Sequence, residues 1–327
     1  MTEFSRQALV ADIGHTNMRF ALADIDELTI RDFAVMSTPM FTGIAEALEA
    51  YLRTVPDRPS LVAMTVAGPV AEGTARLSRS AWSFGVDDIR RVIDAKVCLV
   101  NDVEGLAMLL PHLVEHDVHA LGGLRGDARG PALVLGVGTT VSLAGVVPTA
   151  GEPVIIGGQC DAIAFACQSE EELALVRTMP HQFSYVATGD VLSAAGLVAL
   201  QHALNNGSGA PASNAAEVMH AASADHQATA QRALDQFASW LGGFAGDMTL
   251  AYGAAGGVYL AGGIPRAMLD QLRSGPFRAA FEAKGAATEM LAGVPVRVIT
   301  APDACLRAAA LAAGRMLGEK GSLASAA

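Results

Sequence analysis

Cysteine is scarce in this chain. Only Cys98, Cys160, Cys167 and Cys305 occur in 327 residues. Their spacings are too wide or too irregular for a zinc site or a disulfide framework, which implies reduced thiols in a cytoplasm. Basic residues are also few, with 22 Lys and Arg against 33 Asp and Glu and a formal net charge of -11. That balance disfavours non-specific binding to nucleic acid or to an anionic membrane surface. Long apolar runs are missing as well: charges or glycines break every Ala- and Leu-rich segment below the ~18 residues that a membrane span needs. The opening MTEFSRQALVADIG is polar up to Ala8 and meets a charge again at Asp12, unlike a signal peptide. No sequence repeat of fixed period is present. The expectation is a soluble, cytoplasmic protein.

What remains is a regular alternation of short apolar segments and longer amphipathic ones. The length suffices for two domains of ~150 residues, each with its own core. Strands are expected at 8–13, 18–23, 61–66, 97–100, 132–135, 142–147, 258–260 and 296–299. Helices are expected at 43–51, 86–93, 103–110, 170–177, 191–203, 228–250, 265–272 and 304–317. Helical spacing through ALDQFASWLGGFAGDMTLA predicts a long buried helix. Short apolar strands buried on both faces argue for an α/β fold. The small, polar stretch 205–229 reads as a surface loop, and the tail GEKGSLASAA as frayed.

Three glycine turns follow apolar strands. In DIGHTN, Gly14 permits a tight turn or a close ligand approach, Thr16 and Asn17 supply donors, and Asp12 is a carboxylate able to hold hydrated Mg²⁺. That set suits a nucleotide's terminal phosphates, although a plain hairpin uses the same residues. GVGTT repeats the arrangement: Gly138 and its neighbours can line an anion-binding concavity, with hydroxyls from Thr139 and Thr140. In LAGGIPR, Gly262 and Gly263 leave room for a nucleoside ring or a phosphate. The strand KVCLVND ends on Asn101 and Asp102, either a helix cap or a carboxylate placed to take a hydroxyl proton.

In order and spacing the chain resembles the bacterial glucokinases, ATP-dependent sugar kinases of the hexokinase-like branch of the actin-like ATPase fold. The segments that carry the resemblance are ADIGHTNMRFALAD, AGPV at 67–70, AWSF at 81–84, VNDVEGLAM at 100–108, FACQSEEE at 165–172, VLSAAGLV at 191–198, GGVYLAGGIPR at 256–266 and FRAAFEAKG at 277–285. The resemblance implies a two-domain, ribonuclease H-like fold with mixed sheets flanked by helices. Its small domain would be 1–112 plus 301–327 and its large domain 113–300, closing over ATP. It implies Asp102 as general base and Asn101 as a sugar-hydroxyl ligand. ATP would be held by Asp12, Gly14, His15, Thr16, Asn17, Gly138, Thr139, Thr140, Gly262 and Gly263, with Asp12 binding Mg²⁺ through water. The partners implied are a sugar and ATP, in a homodimer.

Several positions depart from the family pattern. His15 stands in a glycine position of the first turn. Thr140 and Ser142 replace glycines of the second, where any φ > 0 would bring strain and weaken nucleotide binding. The sugar-binding segment E-G-G-H aligns with Gln159, Cys160, Asp161 and Ala162. A second sugar-binding glutamate aligns with Gly189 or its neighbour Asp190, and T-N aligns with Ser78 and Arg79. Each lost partner to a buried polar group costs ~1–3 kcal/mol. Arg79, Gln159, Asp161 and Asp190 could instead form a new polar set, with Arg79 suited to an anionic sugar. The functional expectation is phosphorylation of a hexose at its 6-hydroxyl, glucose by default. The alternatives are another sugar or an impaired, regulatory glucokinase-like protein.

Other features read as structural. His112, His116 and His119 are solvated, Ser169 caps the helix that begins SEEE, Trp82 packs, and the methionines fill core gaps.

Overall fold

The computed structural model describes residues 6–324 except 79, 124, 125, 128, 182 and 225, with side chains through residue 318. Two compact units emerge, Met1–Leu113 with Ala301–Ala327, and Val114–Thr300.

The first unit is built on β1 (Gln7–Ile13), β2 (Asn17–Asp24), β3 (Ile30–Ser37), β4 (Leu61–Val66) and β5 (Lys96–Asn101). The sheet order is β3-β2-β1-β4-β5, an antiparallel meander followed by two strands parallel to β1. β4 is buried along its whole length, as expected of a strand covered on both faces. One face receives α1 (Ile44–Leu52), whose Leu48 and Tyr51 pack with Leu9, Phe20 and Met64. After β5 the chain enters α2 (Asp102–Leu109).

The second unit contains β6 (Val118–Gly122), β7 (Ala132–Val137), β8 (Val141–Val147), β9 (Val154–Gly158), β10 (Gly257–Ala261) and β11 (Val296–Ile299), in the order β9-β8-β7-β10-β11-β6. The run β9-β8-β7-β10-β11 repeats the topology of the first sheet, so the fold is duplicated without a sequence repeat. Its helices include α3 (Thr188–Val191), α4 (Ala194–Leu204), α5 (Ala228–Tyr252) and α6 (Gly263–Ala267). α5 buries Phe237, Trp240 and Leu241, and it ends at Gly253, whose φ of 60° closes the last turn. The chain then returns to the first unit as α7 (Ala304–Ala324). Leu306, Ala309, Ala310 and Ala313 of α7 pack on Ala8, Val10, Ala21 and Ala63.

Some elements differ from the sequence reading. β3 and β9 are edge strands that turn large apolar residues outward, Phe33 at 51% and Val154 at 52% exposure, which blurs the in-out alternation. The stretch expected to be a loop contains a helix, Ala215–Ser223. Asn214 caps it by accepting from Glu217 N at 3.0 Å, and Val218 and Ala222 are buried. The helix expected at 191–203 is broken, because Ser193 caps α4 through Gly196 N. α7 continues to Ala324, past the point where fraying was expected, and 325–327 lie outside the described residues. No helix among the described residues is long and apolar enough to cross a membrane.

Candidate active site

β1, β4 and β5 are parallel neighbours, so their carboxyl ends lie along one edge of the first sheet. Ligands of open α/β sheets bind beyond such edges. The register sets Asp12 opposite Arg19 on β2 and Thr65 on β4, and Val66 opposite Asn101. Asp12 is only 8% exposed. Arg19 Nη1 donates to its Oδ2 at 2.6 Å, and Thr65 Oγ1 lies 3.4 Å from Oδ1. At the hairpin tip, Gly14 N donates to Asn17 O, and a Cβ on Gly14 would lie 2.9 Å from that oxygen, which favours glycine. Thr38 pins the tip through its hydroxyl to Gly14 O at 2.7 Å and its amide to Thr16 O at 3.0 Å. Thr16 and Asn17 are exposed and His15 is half-buried.

Asn101 is the N-cap of α2. Its Oδ1 accepts from Val103 N and Glu104 N at 3.1 and 3.2 Å, and Nδ2 donates to Gly68 O at 2.9 Å. One Nδ2 hydrogen is left for a ligand. The Asp102 carboxyl is pushed up to about 7, first by burial and then by the charge of Asp12. Hydrogen bonds from Val103 N and its own amide pull the other way. Among the described residues no group of three or more His, Cys, Asp or Glu is arranged to hold a metal. Mg²⁺ needs only one or two carboxylates beside water and phosphate. With Oδ2 held by Arg19, Asp12 fits a water-mediated contact rather than bidentate ligation. Arg79 lies outside the described residues.

In the second unit, the turn between β7 and β8 is closed by Gly138 N donating to Thr140 O at 3.0 Å. It is tied to α4 by Ala194 N donating to Gly138 O at 2.8 Å. The strain expected at Thr140 and Ser142 is absent, since neither has φ > 0, and β8 is already extended from Val141. β7 and β10 are parallel neighbours, which brings Gly262 beside Val137. Gly262 has φ +102°, and a Cβ there would lie 2.4 Å from Val137 O, so no other residue fits. By contrast, a Cβ on Gly138 or Gly263 would meet nothing within 4 Å. Two glycine turns thus flank open space at the carboxyl ends of adjacent strands.

These glycine turns and the acidic pair Asp12 and Asp102 belong to a chain whose residues 9–316 match the family model described as Glucokinase. This chain belongs to the glucokinase family. A glucokinase of Aromatoleum aromaticum is 32% identical over 320 residues, covering 96% of this chain and 97% of the relative. The crystal structure of a glucokinase from an Antarctic psychrotroph has a TM-score of 0.79 at 29% identity, covering 95% of this chain and 99% of that one. A glucokinase from Balamuthia mandrillaris in complex with glucose has the same fold, with a TM-score of 0.80 at 17% identity and 94% coverage of both chains. The fold is the actin-like ATPase fold, and the reaction class is that of an ATP-dependent, glucose-type sugar kinase.

On the sugar side, Asp190 is engaged within the chain itself. Asp190 Oδ2 accepts from Ala187 N at 3.0 Å, so the carboxylate caps its own helix. Gln159 is exposed, and Gly189 is buried and offers no side chain. Arg19, Thr38 and Thr65 went unrecognised in the sequence. Arg19 was findable, because a hairpin turning at 14–17 pairs position 12 with position 19.

Proposed function

We propose that the chain transfers the ATP γ-phosphate to the 6-hydroxyl of a hexose, glucose by default, with Asp102 as general base. The observation that carries this is the Asp102 carboxyl, pushed up to about 7 by burial and by Asp12 at the end of β5. A carboxylate poised near neutrality accepts a hydroxyl proton better than an ordinary surface one. Phosphoryl transfer otherwise asks for positioning and charge stabilisation. On this reading Asn101 donates its remaining amide hydrogen to a sugar hydroxyl, and Gln159 lies within the sugar segment. Thr16, Asn17 and Thr139 donate to phosphate oxygens. The backbone at Gly14, Gly138, Gly262 and Gly263 leaves the phosphates room, and His15 and Thr140 line the same turns. Asp12 holds Mg²⁺ through water, and Arg19 fixes the Asp12 side chain. When bound, Mg²⁺ neutralises charge on the phosphates.

The four free cysteines support a reducing, cytoplasmic setting. There the hexose 6-phosphate would enter glycolysis, and family resemblance supports a homodimer. The test is ADP release with Mg²⁺-ATP over neutral, amino and acidic sugars, run beside Asp102→Asn. Turnover that vanishes in the variant supports the proposal. ADP no higher than the variant's with every sugar overturns it in favour of a ligand-binding protein.

A further inference from the structure

A cavity of about 130 Å³ lies in the second unit, between segment 163–168, α5 and the helix Pro276–Glu282. None of the residues assigned above to sugar or ATP lines it. Its apolar lining includes Phe165, Trp240 and Phe244, and Phe165 meets the Trp240 ring edge-on with 5.3 Å between centroids. Trp240 is 4% exposed and its indole N–H is buried, yet no group among the described residues accepts from it. A buried Trp N–H ordinarily finds a partner, so this one calls for an acceptor that the chain does not supply.

The other polar groups of the lining divide by whether they are already used. Glu172 accepts from Gln236 Nε2 at 3.1 Å and from Gln168 N at 2.7 Å, one on each oxygen. Asp247 Oδ1 is held by Lys284 Nζ at 2.6 Å, and Thr188 donates its hydroxyl to Ile163 O at 2.9 Å. The Ser239 hydroxyl and the Gln168 side-chain amide have no partner among the described residues. The groups left over, Trp240, Ser239 and Gln168, can all donate. Two carboxylates in the lining repel an anion, and their existing bonds leave little for a cation to gain. An apolar cavity of about 150 Å³ accepts benzene, so this one takes a body of about six non-hydrogen atoms. We infer that the cavity is a binding site for a small neutral molecule with an apolar body and an acceptor oxygen that takes the Trp240 N–H. Nothing in this site requires sugar or ATP, so it stands apart from the kinase reading.

Trp82 and Trp240 are the two tryptophans of the chain, so the folded protein gives two indole signals in a proton–nitrogen NMR spectrum, which Trp240→Phe assigns. The probe is cyclopentanone, titrated into the full chain. The Trp240 signal is expected to move downfield and saturate with a Kd of about 1 mM, while that of Trp82, in the other unit, stays fixed. Cyclopentylammonium, which brings no acceptor, and cyclobutanecarboxylate, an anion, should bind at least about tenfold more weakly. A Cβ on Gly243 would meet only Gln168 Nε2, at 3.4 Å, so Gly243→Leu extends a side chain into the cavity. That variant is expected to lose cyclopentanone binding and to melt no lower than wild type, since leucine is the better helix former. A Trp240 signal that stays fixed up to about 20 mM cyclopentanone, equal affinity for the three probes, or binding that survives Gly243→Leu overturns the inference.

Discussion

At the scale of the residue, Asp102 gives a pH signature. Its folded pKa is raised, so the proton is held more tightly in the fold than in the unfolded chain. The base must be unprotonated to act, so kcat/KM should be flat above about pH 8, halved near 7 and about tenfold lower at pH 6. Stability runs the opposite way. The Asp102 contribution is fully present below the unfolded carboxylate pKa of about 4 and is lost as pH rises through about 7. Asp102→Asn should lower kcat by about 10²–10⁴ and yet melt above the wild type at alkaline pH, the two curves converging in acid. Activity assays and thermal melts across pH check both. Arg19→Ala takes the cation from the nearly buried Asp12 carboxylate, 11% exposed in its side chain, and should cost about 1–3 kcal/mol by chemical denaturation. Arg19→Lys should recover part of that cost.

Among elements, the glycine turns divide into those required by packing and those facing open space. Gly262→Ala combines a φ of +102° with a 2.4 Å approach to Val137 O and should destabilise by about 3 kcal/mol. Gly263→Ala meets no neighbour, so its melting temperature should stay near wild type while the KM for ATP rises. Equal destabilisation of both would show that Gly263 faces no ligand. The elements also explain what was readable in advance. β1, β4, β7 and β10 are interior strands with nearly unbroken apolar runs, and the carboxylates and glycines stand at their ends, so they were legible from local pattern. The edge strands β3 and β9 were not, since both of their faces carry apolar residues and the sequence shows no polar-apolar alternation. Helix Ala215–Ser223 was hidden by the Gly- and Ser-rich residues before it. The cavity beside Trp240 could not be read at all, because segments distant in the chain form it. Asp190, directly before VLS, reads as a site residue and in the fold also caps its own helix.

Over the whole molecule, two sheets of the same order arise from sequences with no visible repeat. Topology is carried by where strands end and which faces are apolar, and many residue choices satisfy that. The two units differ in one respect. The second is continuous, whereas the first takes its last layer from α7, near the end of the chain. A chain stopped at residue 300 should therefore lose amide protection in β1, β2 and β4 and keep it in β7, β8 and β10, as hydrogen exchange can test.

On the ribosome, that discontinuity imposes an order of events. The second unit can complete its core while α7 is still unmade, and all that time Ala8, Val10, Ala21 and Ala63 lack the helix that covers them. Strands translated before the second unit are therefore sealed after it. A nascent chain slowed between the second unit and α7 should be held by chaperones through the strands that α7 covers.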